Sequence, residues 1–302
     1  MKKTAWLIDS NIYVYEAWNY YKSPIKDQDG QPIQAVIGFL HFVYQLLMKE
    51  RPAVIAFAFD EKLKHSHRKA LYPAYKANRK PIPPKLAVQF TYCRAFLDSL
   101  GLYQASNHFY EADDLIGTWT RQLRERGYKL ILVSADKDLL QLIEADDYWW
   151  SYQRNYKHSV KSFHKRFRLH PSQVADQLAL AGDKSDNIPG IAGIGMSTAA
   201  KLLRKFGSID GIFAQQNQLH KMQIRSAKQI QEAIITQHDM IRLGQQLSII
   251  KCDITEVNSE NILDKRSIDY SAFSKLCQQL QLNEERQMQW LNLVKTLYPS
   301  LI

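Results

Sequence analysis

Three short apolar runs punctuate the first half of the chain: Ala5 to Ile8, Ala53 to Phe59 and Leu130 to Val133. Runs of this length without polar alternation match strands buried on both faces, and they predict a parallel sheet. Between them apolar positions recur at helical spacing, as in Val36, Ile37, Leu40, Val43 and Leu47, which predicts crossover helices and an α/β fold. From about His170 the texture shifts to helix-length segments, Pro171 to Ala181 and Ser197 to Phe206, flanking a Gly-rich turn from Asn187 to Gly195. A second, helical subdomain is expected there, packed on the first because no Gly/Ser linker separates them. The expected division is 1–170 for the sheet core, 171–252 for the helical part and 253–302 for a helical or mixed segment packing on the core.

Each strand-like run leads into aspartate. Asp9 follows the first, Asp60 the second, and Asp136 and Asp138 lie just beyond the third. In an open α/β sheet the carboxyl ends of the strands border the ligand crevice, so these residues converge although they are distant in sequence. Glu111, Asp113 and Asp114 open a helix whose apolar positions include Leu115, Ile116 and Trp119, and Asp183 and Asp186 precede the Gly-rich turn. Taken singly, each has an ordinary explanation: a strand-end Asp starts a turn or caps a helix, and acids at a helix start complement its dipole. Their sum has no such explanation. So many carboxylates in one pocket repel one another unless cations neutralise them, and oxygen-only ligands select the hard ions Mg²⁺ or Mn²⁺. Two such ions suit an in-line displacement at phosphorus.

A formal charge of +10 favours a polyanionic partner through counterion release, and its distribution sharpens the point. A basic segment follows Asp60: Lys62, Lys64, His65, His67, Arg68, Lys69, Lys76, Arg79, Lys80 and Lys85. Tyr72 and Tyr75 are interleaved with it, and Pro81, Pro83 and Pro84 stiffen its end. Cations and rings together hold a single strand at a scissile position. His65 and His67 lack a third ligand and read as surface or phosphate contacts. In the Gly-rich turn Gly190, Gly193 and Gly195 alternate with apolar residues, and Lys201, Arg204 and Lys205 follow on the next helix. That pattern aims backbone N–H groups at the phosphates of a duplex gripped without reading its bases.

No apolar stretch reaches the length of a membrane span and the N-terminus lacks a signal-peptide core, so a cytoplasmic monomer is expected. Cys93, Cys252 and Cys277 are scattered and predict packed thiols rather than a disulfide or zinc site. Trp149 and Trp150 read as packing, and Gln279 to Leu282 as part of an amphipathic helix.

These residues resemble a known family, the 5′ nuclease domain of bacterial DNA polymerase I and the related phage and free-standing flap endonucleases. The resemblance rests on Leu7-Ile8-Asp9-Ser10, Phe57-Ala58-Phe59-Asp60, Tyr75-Lys76-Ala77-Asn78-Arg79, Glu111-Ala112-Asp113-Asp114, Asp136-Lys137-Asp138 and Gly182-Asp183-Lys184-Ser185-Asp186-Asn187-Ile188-Pro189-Gly190, in family order. It fades after about Cys252. It implies a PIN-like parallel sheet core with a helical arch, and a helix-hairpin-helix (H3TH) subdomain that often holds a monovalent cation such as K⁺. It further implies Asp9, Asp60, Glu111 and Asp113 as ligands of a first divalent ion, with Asp114, Asp136, Asp138, Asp183 and Asp186 holding or surrounding a second. Tyr75, Lys76 and Arg79 match arch positions that stack on and neutralise the cleavage-site nucleotide; Asp60 and Asp113, with Lys76 and Arg79, are the implied catalytic set. Asn11 stands after Asp9-Ser10 where many relatives use Gly-Ser, and Ser134-Ala135 precedes Asp136 where Thr-Gly is frequent. The implied activity is hydrolysis of DNA phosphodiesters in flaps and at frayed or nicked ends, leaving a 5′-phosphate and a 3′-hydroxyl, in replication or repair. With no polymerase region following, a free-standing nuclease is expected. The alternatives are a flap-binding protein without activity and a PIN-type ribonuclease.

Overall fold

The structure, a computed structural model, describes residues 3–21, 23–61, 66–264 and 266–299. Its strands are β1 (Thr4–Asp9), β2 (Val54–Asp60), β3 (Gln104–Asn107), β4 (Lys129–Val133), β5 (Tyr148–Ser151) and β6 (Tyr156–His158). They form one sheet in the order β3-β2-β1-β4-β5-β6, parallel throughout except for the last pair. β1 sits at the centre, with Leu7 beside Ala56 on one flank and Leu132 on the other. From β1 the chain builds outward through β2 and β3, then crosses to β4 on the opposite side. Strand order therefore reverses at β1, the kind of switch point where an open sheet leaves a crevice.

The apolar runs fill both faces, as their lack of alternation predicts. Trp6, Ile8, Phe57 and Phe59 face one side, covered by α1 (Ser10–Tyr20), α2 (Gln34–Glu50) and, past the short α3 (His67–Leu71), α4 (Pro84–Ser99). Ala5, Leu7, Ala58 and Leu132 face the other, covered by Leu115, Ile116, Trp119 and Leu123 of α5 (Ala112–Glu125). The β3 segment, Gln-Ala-Ser-Asn, carries almost no apolar signal, and the two strands after β4 are short. Trp149 and Trp150 are buried in the sheet, as packing residues should be.

The helical region follows: α6 (Val160–Phe167), α7 (Val174–Ala181), α8 (Met196–Phe206), α9 (Ile209–Ala214), α10 (Ala227–Thr236) and α11 (His238–Ser248). A 3₁₀ turn, Pro171–Gln173, precedes α7 where a continuous helix from Pro171 is predicted. Leu178, Ile191, Leu202 and Leu203 join the same apolar cluster as Leu115 and Trp119, so the two regions share a core. After α12 (Glu260–Leu263), α13 (Tyr270–Gln279) and α14 (Glu284–Leu297) return to the first face. There Phe273 and Trp290 pack on Phe96 with ring centroids 5.5 and 5.1 Å away. Among the described residues no disulfide forms, and no helix is long and apolar enough to cross a membrane.

Candidate active site

The crevice at the switch point gathers the predicted carboxylates. Asp9 closes β1, Asp60 closes β2, and Ser134 to Asp138 follow β4; Glu111 and Asp113 sit where α5 begins. Local hydrogen bonds fix several of them. The Asp60 Oδ1 accepts the Ala112 amide at 2.7 Å, which docks the start of α5 on the end of β2. Asp9 Oδ2 accepts the Ser134 hydroxyl at 2.7 Å, and the same hydroxyl accepts the Asp136 amide at 2.9 Å. Asp136 in turn accepts the Asp138 amide at 2.9 Å. Asn11 accepts the Asp60 amide at 3.1 Å and donates to its carboxylate at 3.5 Å. Ser134 and Asn11 are positioning groups that the sequence marks only as departures from the family pattern.

Burial and mutual repulsion dominate the electrostatics. Burial pushes Asp9 up to about 8, with Asp60 and Asp136 adding to the rise. Asp113 is driven well above the ordinary range by burial and then by Asp136, Asp9 and Asp60. Asp138 rises in the same way, through burial and the neighbouring Asp136, Asp186 and Asp183, and Asp136 is raised too. The carboxylates that raise one another come from five separate chain segments. Among the described residues no three His, Cys, Asp or Glu side chains are drawn tightly enough together to hold a metal ion as they stand. A cation already lies between them: Lys76 Nζ contacts Glu111 Oε1 at 2.9 Å and Asp186 Oδ2 at 3.5 Å. Burial works against its charge, yet Glu111, Asp186 and Asp60 together raise its pKa.

Lys76 divides the crevice. On one side, a cleft of about 490 Å³ is bordered by Asn11, Tyr15, Asp60, Lys69, Arg79 and Lys80. On the other, a shallower acidic hollow of about 410 Å³ is bordered by Asp136, Asp138, Asp183 and Asp186. The basic segment is folded down onto the loop that carries Asp183 and Asp186. The Lys76 amide donates to the Asp186 carbonyl at 2.9 Å, Asn78 to the Lys184 carbonyl at 2.7 Å, and Asn187 to the Ala74 carbonyl at 2.7 Å. Arg79 pairs with the Asp186 carboxylate.

Several expectations need correction. Asp114 is read from the sequence as holding or surrounding the second metal, but it is fully buried and its oxygens are already occupied. Oδ1 accepts Arg68 Nη2 at 2.8 Å and the Lys251 amide at 2.9 Å; Oδ2 accepts Arg68 Nη1 at 2.7 Å and the Glu111 amide at 3.1 Å. A carboxylate so saturated has no lone pair left for an ion. Asp114→Ala should therefore act on folding, lowering stability by about 3–5 kcal/mol because it strands the buried Arg68; a urea midpoint like that of the unsubstituted protein would refute this. Tyr75, expected to stack on a nucleotide, is 2% exposed, and its hydroxyl donates to Glu111 and Asp186, both at 3.0 Å. Tyr15 borders the basic cleft instead. His67 is buried rather than on the surface, its ring 5.2 Å from that of Tyr110. Gly190 presses against Ala181 and Gly182, where a Cβ would meet backbone atoms at 2.4 Å; close packing, not a phosphate, requires glycine there. Lys62, Lys64 and His65 lie outside the described residues.

Gly193, Gly195, Lys201 and Arg204 of the helical region are exposed. Gly193 adopts a left-handed φ of 82° and Gly195 is the N-cap of α8, so the hairpin turns sharply into a helix whose first amides point outward. A profile described as 5′-3′ exonuclease, N-terminal resolvase-like domain, matches residues 4–176, and one described as 5′-3′ exonuclease, C-terminal SAM fold, matches residues 169–271. The chain belongs to the 5′-3′ exonuclease family. A 5′-3′ exonuclease of Aquifex aeolicus is 30% identical over 280 residues, covering 93% of each chain. DNA polymerase I of Rhizobium leguminosarum is 32% identical over 255 residues, covering 82% of this chain and 24% of the polymerase. The chain thus spans about a quarter of its polymerase relatives and nearly the whole of the shorter exonucleases. In fold it matches bacteriophage T5 5′-exonuclease, 16% identical, with coverage of 97% of this chain and 100% of the other. The TM-score is 0.66 to a zinc-bound form and 0.65 to a complex of the phage flap endonuclease with DNA and metal ions. Lys76 pairs with Glu111 and Asp186, Arg79 with Asp186, and Arg68 with Glu111.

Proposed function

We propose that the chain is a structure-specific 5′ nuclease that hydrolyses DNA phosphodiesters at junctions of single and double strands, using two divalent ions, Mg²⁺ or Mn²⁺. The observation that carries this reading is the convergence of Asp9, Asp60, Asp113 and Asp136 at the switch point, with burial holding Asp9 up at about 8. Buried oxygens that resist ionisation beside one another suit hard cations, which favour the charged form. Asp9, Asp60, Glu111 and Asp113 would hold the first ion, and Asp136, Asp138, Asp183 and Asp186 the second. When bound, such ions polarise the phosphoryl group and lower the pKa of water. Lys76 and Arg79 supply fixed positive charge where negative charge builds up on the phosphate, and to do so they exchange their present contacts with Asp186 for the substrate. Tyr15 offers a ring to the flanking base.

The helical region, residues 171–252, would grip the duplex through the exposed Gly193 and Gly195 amides and through Lys201 and Arg204, with residues 253–302 bracing the core of residues 1–170. A monovalent ion such as K⁺ belongs to the same proposal. The left-handed Gly193 turn leaves room for it, since a Cβ there would meet only Ile230 at 3.9 Å. We place the protein in the cytoplasm as a monomer acting on flapped, frayed or nicked DNA.

The test is product mapping on a labelled double-flap DNA across a Mg²⁺ titration. Cleavage should fall near the junction, leave a 5′-phosphate and a 3′-hydroxyl, require the metal, and weaken steeply with salt. A matched RNA flap should be cut more slowly. Metal-independent binding without product would make this a flap-binding protein, and equal or faster RNA cleavage would make it a PIN-type ribonuclease.

A further inference from the structure

We infer that Arg68 is a positioning residue for the reaction: it fixes the orientation of Glu111 and ties that carboxylate to the end of the helical region. The inference rests on the reading of Glu111 as part of the active site. Arg68 lies in the first turn of the basic segment's short helix, yet it is 3% exposed and so is no phosphate contact. Every N–H of its guanidinium has an acceptor. Nε donates to the Leu247 carbonyl at 2.9 Å; Nη1 donates to Glu111 Oε2 at 3.2 Å and Asp114 Oδ2 at 2.7 Å; Nη2 donates to Asp114 Oδ1 at 2.8 Å and the Ile249 carbonyl at 3.0 Å. Three parts of the chain thus meet on one rigid fork: the base of the basic segment, the first turn of α5 and the exit from α11.

An ordinary buried ion pair would account for the bidentate contact with Asp114, which neutralises and aligns the guanidinium by itself. It does not account for the bond to Glu111. Oε2 of that residue is held twice, by Arg68 and by the Tyr75 hydroxyl at 3.0 Å, while Oε1 turns to Lys76 at 2.9 Å in the cleft. One oxygen is therefore anchored in the protein and the other presented to the crevice, the division of labour typical of outer partners that orient a ligating group. Lysine cannot replace this fork, because a compact ammonium on a flexible stem does not span acceptors set in fixed, coplanar directions.

The experiment compares Arg68→Lys, Arg68→Gln and Glu111→Gln with the unsubstituted protein, with rates normalised to the folded fraction from circular dichroism. Steady-state cleavage of flap DNA in Mg²⁺ gives kcat and KM, and calorimetric titration of the DNA-free protein with Mn²⁺ gives metal affinity. Arg68→Lys should lower kcat by about 10–100-fold and weaken Mn²⁺ binding by about tenfold or more, with KM within about twofold. Arg68→Gln should do the same or worse. If either folded Arg68 variant keeps both kcat and Mn²⁺ affinity, Arg68 serves stability alone and the inference fails. If Glu111→Gln also keeps its kcat, the assignment of Glu111 to the site is what has failed; if Glu111→Gln loses activity while Arg68→Lys does not, only the role of Arg68 is overturned.

Discussion

Asp60→Ala should lower kcat on a flap substrate by about 10³-fold or more, while the Kd for the same DNA measured in EDTA changes by less than about threefold. The carboxylate has two tasks, and they separate cleanly. One oxygen accepts the Ala112 amide, a neutral structural bond whose loss costs about 1 kcal/mol. The other accepts the Asn11 side-chain amide at 3.5 Å and lines the basic cleft. Burial and the neighbouring Glu111 raise the pKa of Asp60, so its charge opposes folding in the metal-free protein rather than supporting it. The variant should therefore fold. The duplex contacts proposed above lie on the exposed hairpin and α8, remote in sequence from this strand end, so on that proposal binding should persist without cleavage. A variant that cuts at the unsubstituted rate in Mg²⁺ would remove Asp60 from the mechanism, and one that loses binding and cleavage together would show that the site and the grip on DNA are one surface.

The strand-end aspartates are legible in the sequence because the signals that place them are strong and local. Unbroken apolar runs fix β1, β2 and β4, the parallel sheet aligns their carboxyl ends, and Asp9 and Asp60 follow without further information. The start of α5 is equally clear, but the fates of its acids are not. Glu111 and Asp114 stand one helical turn apart and look equivalent, yet Glu111 keeps one oxygen for Lys76 in the crevice while Arg68 takes both oxygens of Asp114. Only the tertiary arrangement, with the Leu247 and Ile249 carbonyls approaching from the helical region, decides which carboxylate the guanidinium saturates. Arg68 itself is camouflaged among lysines, where composition suggests a solvated charge. The same holds for Tyr75. Nothing local distinguishes an exposed stacking ring from one folded down, and its burial follows from the docking of residues 74–78 on the Lys184–Asn187 loop. β3 escapes notice because a short edge strand that is only half-buried carries little apolar signal, and Gln104 to Asn107 has only Ala105 to show.

In the metal-free protein, melting temperature should fall as the pH rises from about 5.5 to 8, and saturating Mg²⁺ should abolish the fall. Asp9 is pushed up to about 8, mainly by burial, and Asp113, Asp136 and Asp138 are raised as well, in each case with burial as the main cause. In the unfolded chain these groups lose their protons near pH 4, so between that point and the folded-state pKa the native protein binds more protons. Stability then decreases with rising pH across the window. Glu111 and Asp114 work in the opposite sense, since pairing with Lys76 and Arg68 outweighs burial and lowers their pKa values. Their contribution is complete above the unfolded-state value and is lost only at more acid pH, so it does not offset the slope between 5.5 and 8. The raised acids together should cost on the order of a few kcal/mol at pH 8, or roughly 5–10 °C in Tm. Divalent ions bind the deprotonated native site and reverse this cost by mass action, and because protons compete for the same oxygens their apparent affinity should rise over the same pH range. Melting curves in EDTA and in Mg²⁺ at pH 5.5, 7 and 8 decide the matter, and Asp9→Asn should flatten the EDTA series. A Tm in EDTA that climbs toward pH 8 would mean that the carboxylates are not crowded in the way the crevice requires.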